Sequence, residues 1–357
     1  MTKQTSKKKI SRSSRKKNLA TQIFSSLSKS PALNEDALYA RSILLPVVKS
    51  ITIHLIGCGG SGSWLAPHLA RITKLLQEVH HINVRLACWD YDTVEEKNIF
   101  RQNFCEAEIG ANKAETLARR YGIAWGLDII ALPVPFSADA MYRNSLGDRY
   151  GDSSMPVFIT SVDNNRPRQD VAKVCSQYFG WWLDCGNIKT AGQVSVGRGL
   201  PPRELSPLRF PSMTTWTPLP SLQFPSILQE DVATRKEEVD YSGMSCADIA
   251  LVDEQGLSIN HAIASTAAAM LMKLLVTKDL RHHCAYVSID SGTTFIYNSP
   301  RVLTDYMKNM EFVSVEGTEE YGDQEDMEQA MLDEEDDEEP LFEEDLPETA
   351  EEAIGAA

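Results

Sequence analysis

Residues 57–62 read Gly-Cys-Gly-Gly-Ser-Gly and stand between a short apolar run and a stretch with helical spacing. Glycines in that place let the backbone turn tightly and approach a phosphate, while the helix after them offers free N–H groups to an anion. The spacing of Gly57, Gly59 and Gly62 satisfies G-x-G-x-x-G, which by itself suggests a dinucleotide; a glycine turn without a ligand is the other reading. Gly60 beside Gly59 is an extra, and it asks for closer backbone contact than the dinucleotide turn needs. Asp90 ends the next predicted strand, where a ribose hydroxyl is held in either nucleotide class.

The segment after Asp90 separates the classes. The run through Asp92, Asn98, Arg101 and Gln102 is dense in polar and charged side chains, and Lys113 lies shortly beyond it. A dinucleotide brings two phosphates that the glycine turn already accommodates, so it leaves no task for Arg101 and Lys113. A triphosphate with a reacting phosphorus does need such cations, because charge builds on its oxygens in the transition state. Solvated surface charge is the default for either cation alone; their joint placement argues against it.

These residues need strands and helices to hold them. Residues 51–56 form a short apolar run closed by the glycines, as expected of a buried parallel strand, and 61–77 carry apolar residues at helical spacing. Strands are predicted at 84–89, 129–134, 156–160 and 181–184, with helices at 111–121 and 167–179. Alternating strand and helix signals with short connections predict an α/β fold: a doubly wound, mostly parallel, Rossmann-like sheet with helices on both faces. Residues 199–245 differ, because seven of the 17 prolines fall between Pro201 and Pro225; they read as a long loop. A helix is predicted over 246–276, and 285–289 with 294–297 form a hairpin around Asp290.

The net charge of −15 divides unevenly. Residues 1–30 hold nine Lys or Arg and no acid, 311–357 hold 21 Asp or Glu and no base, and 31–310 hold 26 basic and 29 acidic residues. The expected organisation is therefore a flexible basic arm (1–33), a nearly neutral body (34–310) with 199–245 as a Pro-rich insertion, and a disordered acidic tail (311–357). Nucleic-acid contact by the arm is the less favoured reading; solvation is the favoured one. No apolar run reaches about 18 residues, since Ser265, Thr266 and Lys273 interrupt the most apolar candidate, so no membrane span is expected. The N-terminus lacks the apolar stretch of a secretory signal. Seven scattered cysteines without any C-x-x-C fit reduced thiols of a cytoplasmic protein and predict no paired-knuckle zinc site.

The ordered elements resemble those of the ubiquitin-activating-type adenylyltransferase family that includes ThiF and MoeB. The resemblance rests on the G-x-G-G-x-G turn at 57–62, the D-x-D-x-V-x-x-x-N-x-x-R-Q run at 90–102, G-x-x-K at 110–113, and D-N-x-x-x-R at 163–168. An arginine-led segment at 40–45 is the fifth element, and the match covers about 39–198 and, more weakly, 246–276. The Pro-rich segment and the residues around 246 and 255–260 look closer to the ThiF-family branch of the PRTRC gene cluster than to ThiF itself.

The resemblance implies ATP as cofactor, with Gly57, Gly59, Gly60 and Gly62 lining the adenine-nucleotide site and Asp90 on the ribose. Asn98, Arg101 and Lys113 would contact the triphosphate, Asp92, Gln102 and Asn164 would be further nucleotide-binding residues, and Asp163 would hold Mg²⁺. Arg41 would reach the γ-phosphate of a neighbouring subunit, which implies a homodimer. The implied reaction is attack by the C-terminal carboxylate of a small ubiquitin-like or sulfur-carrier protein on the α-phosphorus of ATP, releasing pyrophosphate. Any subsequent thioester step needs an accessible, partly ionised thiol; Cys246 is the candidate, and a small packing residue is an equal alternative. The zinc-binding C-x-x-C pairs of ThiF and MoeB are missing, so no zinc is expected. A catalytically silent nucleotide-binding scaffold stays open as an alternative, and an NAD-dependent oxidoreductase explains the glycines and Asp90 but not Arg101, Lys113 or Asp163.

Overall fold

The computed structural model describes residues 34–144, 146, 154–177, 180–199, 208–229 and 256–309. The chain divides into two units, Met1–Tyr306 and Met307–Ala357, and the sheet lies wholly in the first. In chain order the strands are β1 (Ser42–Ile43), β2 (Ser50–Ile56), β3 (Asn83–Trp89), β4 (Ile129–Leu132), β5 (Ser154–Thr160), β6 (Trp181–Asn187), β7 (Ala191–Arg198), β8 (Met213–Thr214), β9 (His282–Ser288) and β10 (Gly292–Tyr297), of which β1 and β8 pair apart from the other eight. The α-helices are α1 (Glu35–Leu38), α2 (Gly60–Glu78), α3 (Lys113–Trp125), α4 (Ala138–Arg143), α5 (Arg166–Gln177), α6 (Pro220–Gln223), α7 (Leu257–Leu271) and α8 (Pro300–Asn309).

A period of two organises the sheet. Ile51, Ile53 and Leu55 of β2 enter one core and Ile56 enters another; Leu86 and Cys88 of β3 are divided from Ala87 and Trp89 in the same way. β5 and β6 repeat it, with Val157, Ile159, Trp181 and Leu183 on the first face and Phe158 and Trp182 on the second. Strands buried on both faces need helices on both faces. Leu65, Leu69 and Ile72 of α2, Leu117 of α3 and Ile259 and Ile263 of α7 cover the first; Met141 of α4 and Val171 and Val174 of α5 cover the second.

Eight strands pair in the order β10-β9-β7-β6-β5-β2-β3-β4. From β4 to β6 all pairs are parallel, whereas β7, β9 and β10 run antiparallel to their neighbours. The α/β class and the mostly parallel sheet agree with the sequence reading.

The differences have physical causes. Strand β7 has no counterpart among the predicted strands, because Gly192 and Gly197 break its apolar pattern. Gly197 is there for close approach: a Cβ would lie 1.9 Å from the carbonyl oxygen of Pro218. Part of the Pro-rich segment is thereby drawn into the fold, with Trp216 and Thr217 fully buried and β8 parallel to β1, rather than passing outside as a loop. The predicted helix over 246–276 is observed as α7 and, directly after it, a π-helical turn, Met272–Val276; residues 246–255 lie outside the described ones. Contrary to expectation, the stretch Leu257–Val276 is long and apolar enough by composition to cross a membrane. Its buried Ile259, Ile263, Ala267 and Leu271 belong to the first core, so its apolarity is that of a helix packed on a sheet.

One polar cluster interrupts the second core. Asp184, fully buried on β6, accepts from the Arg168 guanidinium Nε at 2.7 Å and from the Thr160 hydroxyl at 2.6 Å, and that hydroxyl accepts from Trp182 Nε1 at 2.7 Å. Arg168 also donates to the carbonyls of Cys185 and Asn164, at 3.2 and 3.3 Å. Removing one member of a buried pair strands the other charge. Arg168→Ala should therefore lower the unfolding free energy by about 3–5 kcal/mol in a urea titration. Lys74→Ala, which breaks a surface pair with Glu78 at 3.0 Å, should stay within about 0.5 kcal/mol.

Burial also keeps three imidazoles neutral: it lowers His54 to about 3 and His282 and His283 to about 4. His54 accepts from Trp89 Nε1 at 3.2 Å and stacks on Phe158. As pH falls below the free histidine value of about 6.5, the unfolded chain takes up protons that the folded chain refuses. Stability measured by urea titration should thus drop between about pH 6.5 and 4, by up to roughly 1.4 kcal/mol per pH unit for each such histidine.

Candidate functional site

Strand β2 lies between β3 and β5, and the chain leaves β2 towards β3 and β4 before returning to β5 on the other side. A crevice opens at the carboxyl ends of the strands where the order reverses in this way. The residues found there are the glycine turn after β2, Asp90 after β3 and Ser161 to Asp163 after β5.

Two of the glycines are required sterically. Gly57 has φ +89°, and a Cβ on it would lie 2.3 Å from the Ser161 carbonyl oxygen; a Cβ on Gly62 would lie 2.0 Å from the carbonyl oxygen of Gly57. Gly59 is different, since a Cβ there meets only the Gln102 amide, at an ordinary 3.7 Å. Gly59 is the N-cap of α2 without a side-chain cap, so the first turn of that helix presents its N–H groups uncapped.

Asp90 ties the turn to the next strand. Its carboxylate accepts from the Cys58 amide at 2.7 Å and the Asp92 amide at 2.9 Å. Burial raises its pKa above the ordinary value, against the opposing pull of those two amides and of Lys113. Tyr91, exposed at the mouth, has its phenol raised first by Asp92 and then by burial, Asp163 and Asp90, so one ring senses all three carboxylates. Cys58 is fully buried, and its contact with Cys88 together with burial holds the thiol well above its ordinary value, which suits a spacer and not a nucleophile. Burial likewise raises the Cys185 thiol.

Of the two cations expected beside the triphosphate, Lys113 is buried and its Nζ pairs with Asp92 Oδ2 at 3.1 Å. Arg101 is half-buried on the loop after β3, and its carbonyl accepts from Trp64 Nε1 at 3.1 Å and from Asn260 Nδ2 at 3.2 Å. Asn98 is buried with its Oδ1 accepting from the Glu95 amide at 3.0 Å, which closes a short turn and gives it a structural task in this chain. Gln102 is buried beside Gly59, and its Oε1 lacks a hydrogen-bond partner among the described residues. Asp163 is exposed, and its Oδ1 accepts from Asn164 Nδ2 at 3.3 Å. Among the described residues no cluster of three His, Cys, Asp or Glu forms a metal cage. Arg41 is not turned to this crevice: its guanidinium donates to the carbonyls of Leu208 and Phe210, both at 2.9 Å. Cys246 lies outside the described residues.

Three asparagines not singled out from sequence hold the site together. Asn112 caps α3 by accepting from the Glu115 amide, and its Nδ2 donates to the carbonyls of Asp90 and Asp92 at 2.9 and 3.1 Å; its place directly before Lys113 is an N-cap signal. Asn103 answers Pro67. A proline inside α2 has no N–H for the Ser63 carbonyl, and that carbonyl instead accepts from Asn103 Nδ2 at 3.2 Å. The Asn103 amide in turn donates to the Ser63 hydroxyl at 2.9 Å. Asn260, fully buried, stands next to Ile259 among the exposed polar residues Ser258 and His261, so nothing local in the sequence marked it. Gly62→Ala should unfold the chain or cost more than about 4 kcal/mol in a thermal melt, whereas Gly59→Ala should stay within about 1 kcal/mol.

The model of the ThiF family matches residues 44–307. No curated protein matches the chain. Among solved structures, the crystal structure of PaaA is 15% identical, with 70% of this chain and 73% of that one covered and a TM-score of 0.42. Escherichia coli MccB with MccA-N7isoASN is 18% identical, covering 71% of this chain and 66% of that one at a TM-score of 0.42. Escherichia coli MccB with ATP is 18% identical, covering 71% and 64% at a TM-score of 0.41. The chain spans just under two thirds of the length of MccB.

Proposed function

The chain belongs to the ThiF family, and from that premise we propose that it catalyses ATP-dependent adenylation of a C-terminal carboxylate on a small ubiquitin-like or sulfur-carrier protein. The observation that supports this most is the meeting, at one switch point, of an uncapped helix N-terminus behind Gly57 to Gly62, a carboxylate on Asp90, and the cations Lys113 and Arg101 on the neighbouring segments.

In this reading the ribose is held by Asp90, and the phosphates lie over the glycine turn. The space beside Gly59, bordered only by the Gln102 amide, is left to them. Lys113 is held close by Asp92, so nucleotide binding requires Lys113 to share or exchange that partner for phosphate oxygens. The carboxylate oxygen of the carrier attacks the α-phosphorus, the bond to the β-phosphate oxygen breaks, and pyrophosphate leaves. Arg101 and Lys113 offset the charge that builds on the departing oxygens, and no general base is needed because the nucleophile is already ionised.

Mg²⁺ suits the site as a cation shared with the substrate: it takes one or two carboxylates plus phosphate oxygens rather than a protein cage, and Asp163 is an exposed carboxylate at hand that, unlike Asp92, is not paired with Lys113. When bound it neutralises phosphate charge. We place the reaction in a homodimer in which Arg41 of one copy serves the nucleotide of the other; in the isolated chain that guanidinium is engaged by Leu208 and Phe210. A thioester on Cys246 is a second step of the same proposal: its thiolate attacks the acyl carbon of the adenylate, the bond from that carbon to the phosphate oxygen breaks, and AMP leaves.

Exchange of labelled pyrophosphate into ATP, measured with candidate carriers ending in Gly-Gly, tests the proposal. Exchange should appear with a cognate carrier, and Arg101→Ala should slow it about 100-fold or more. Tight NADH binding without exchange would assign the crevice to a dinucleotide instead.

A further inference from the structure

Asn260 lies in the first turn of α7 with no exposed surface. An amide buried on an apolar face is unfavourable unless its donors and acceptor are used. Here its partners are distant in sequence. Nδ2 donates to the carbonyl of Arg101 at 3.2 Å, and Oδ1 accepts from Asn187 Nδ2 at 3.0 Å and from the Ser61 hydroxyl at 3.3 Å. Those partners sit on three separate pieces: the loop after β3, the carboxyl end of β6, and the glycine turn at the start of α2.

The Arg101 carbonyl also accepts from Trp64 Nε1, so both of its lone pairs are taken by side chains from two different helices. The backbone from which the Arg101 side chain springs is therefore fixed relative to α2. Ser61, on the same amide, belongs to the turn whose N–H groups face the crevice.

We propose that Asn260 is a positioning residue: it sets the backbone of Arg101 against the glycine turn, so that the guanidinium and the first-turn N–H groups of α2 address the same phosphate chain. This rests on the nucleotide-binding function proposed for the site. The role is carried by one hydrogen bond, the Nδ2 donation to Arg101, while the Oδ1 contacts hold the amide in the orientation that makes it.

The discriminating variant is Asn260→Asp. It keeps the size of the side chain and an oxygen for Asn187 and Ser61, but sets a second acceptor against the Arg101 carbonyl, where a donor stood. Affinity for Mg-ATP would be measured by titration calorimetry on the full chain for wild type, Asn260→Asp, Arg101→Ala and the double variant, with thermal melts alongside. Asn260→Asp and Arg101→Ala are each expected to weaken binding about 10-fold, and the double variant to bind no more weakly than Arg101→Ala, because two changes acting through one interaction are not additive. Asn187→Ala, which removes one of the two contacts that orient the amide but leaves the Nδ2 donor and the Ser61 contact in place, is expected to weaken binding less than Asn260→Asp does.

Additive losses in the double variant, or wild-type affinity in Asn260→Asp, would overturn the inference while leaving the nucleotide site intact. Wild-type chain that binds no Mg-ATP would overturn the site reading and this inference together. Should Asn260→Asp fail to fold, Asn260→Ser, which removes the donor without burying a charge, is compared with Arg101→Ala by the same cycle and judged by the same outcomes.

Discussion

The carbonyl oxygen of Gly57 occupies the space that a side chain on Gly62 would need, and the carbonyl oxygen of Ser161 occupies the space beside Gly57. Three backbone segments thus cross at van der Waals contact where β2, α2 and β5 meet. Nothing larger than hydrogen fits between them, so the sheet, the start of α2 and the loop after β5 take a single relative position. The crevice owes its shape to this crossing. Asp90 then locks the crossing to β3 through two backbone amides, and the buried Arg168–Asp184 pair anchors the neighbouring strand ends from the opposite core.

Around that crossing, side-chain amides do most of the joining. Asn112 links α3 to the carbonyls of Asp90 and Asp92, Asn103 links its loop to α2, and Asn260 links α7 to both. An amide offers donors and an acceptor at once without the desolvation cost of a charge. Such links fix backbone carbonyls while leaving the site's net charge to Asp90, Asp92, Asp163, Lys113 and Arg101. A site meant for an anion benefits from that separation of scaffold and charge, because rearranging the ionic partners on binding does not loosen the frame.

The sheet was legible in the sequence wherever burial on both faces produced a short, mostly apolar run, as in β2, β3, β5 and β6. It was not legible in β7, whose glycines answer to Pro218 rather than to a strand pattern, nor in α4 and α6, which are too short to show a period. The glycine turn and Asp90 could be read because the backbone constraint at a turn is local. Partner choice could not. Arg41 meets carbonyls 167 and 169 residues away, and Lys113 meets Asp92 across 21 residues; neither pairing can be deduced from residue type or spacing. The role of Asn98 as a turn-closing residue was within reach, since the glutamate three positions before it makes a reciprocal cap with it.

Pro67 carries a consequence for movement. By depriving the Ser63 carbonyl of its helical partner, it makes Asn103, and with it the segment bearing Arg101, a substitute rung of α2. Were that segment to swing outward, a helix would be left with a bare carbonyl. The loop is therefore mechanically part of the helix, and the segment bearing Arg101 either moves together with α2 or gives up a helical hydrogen bond.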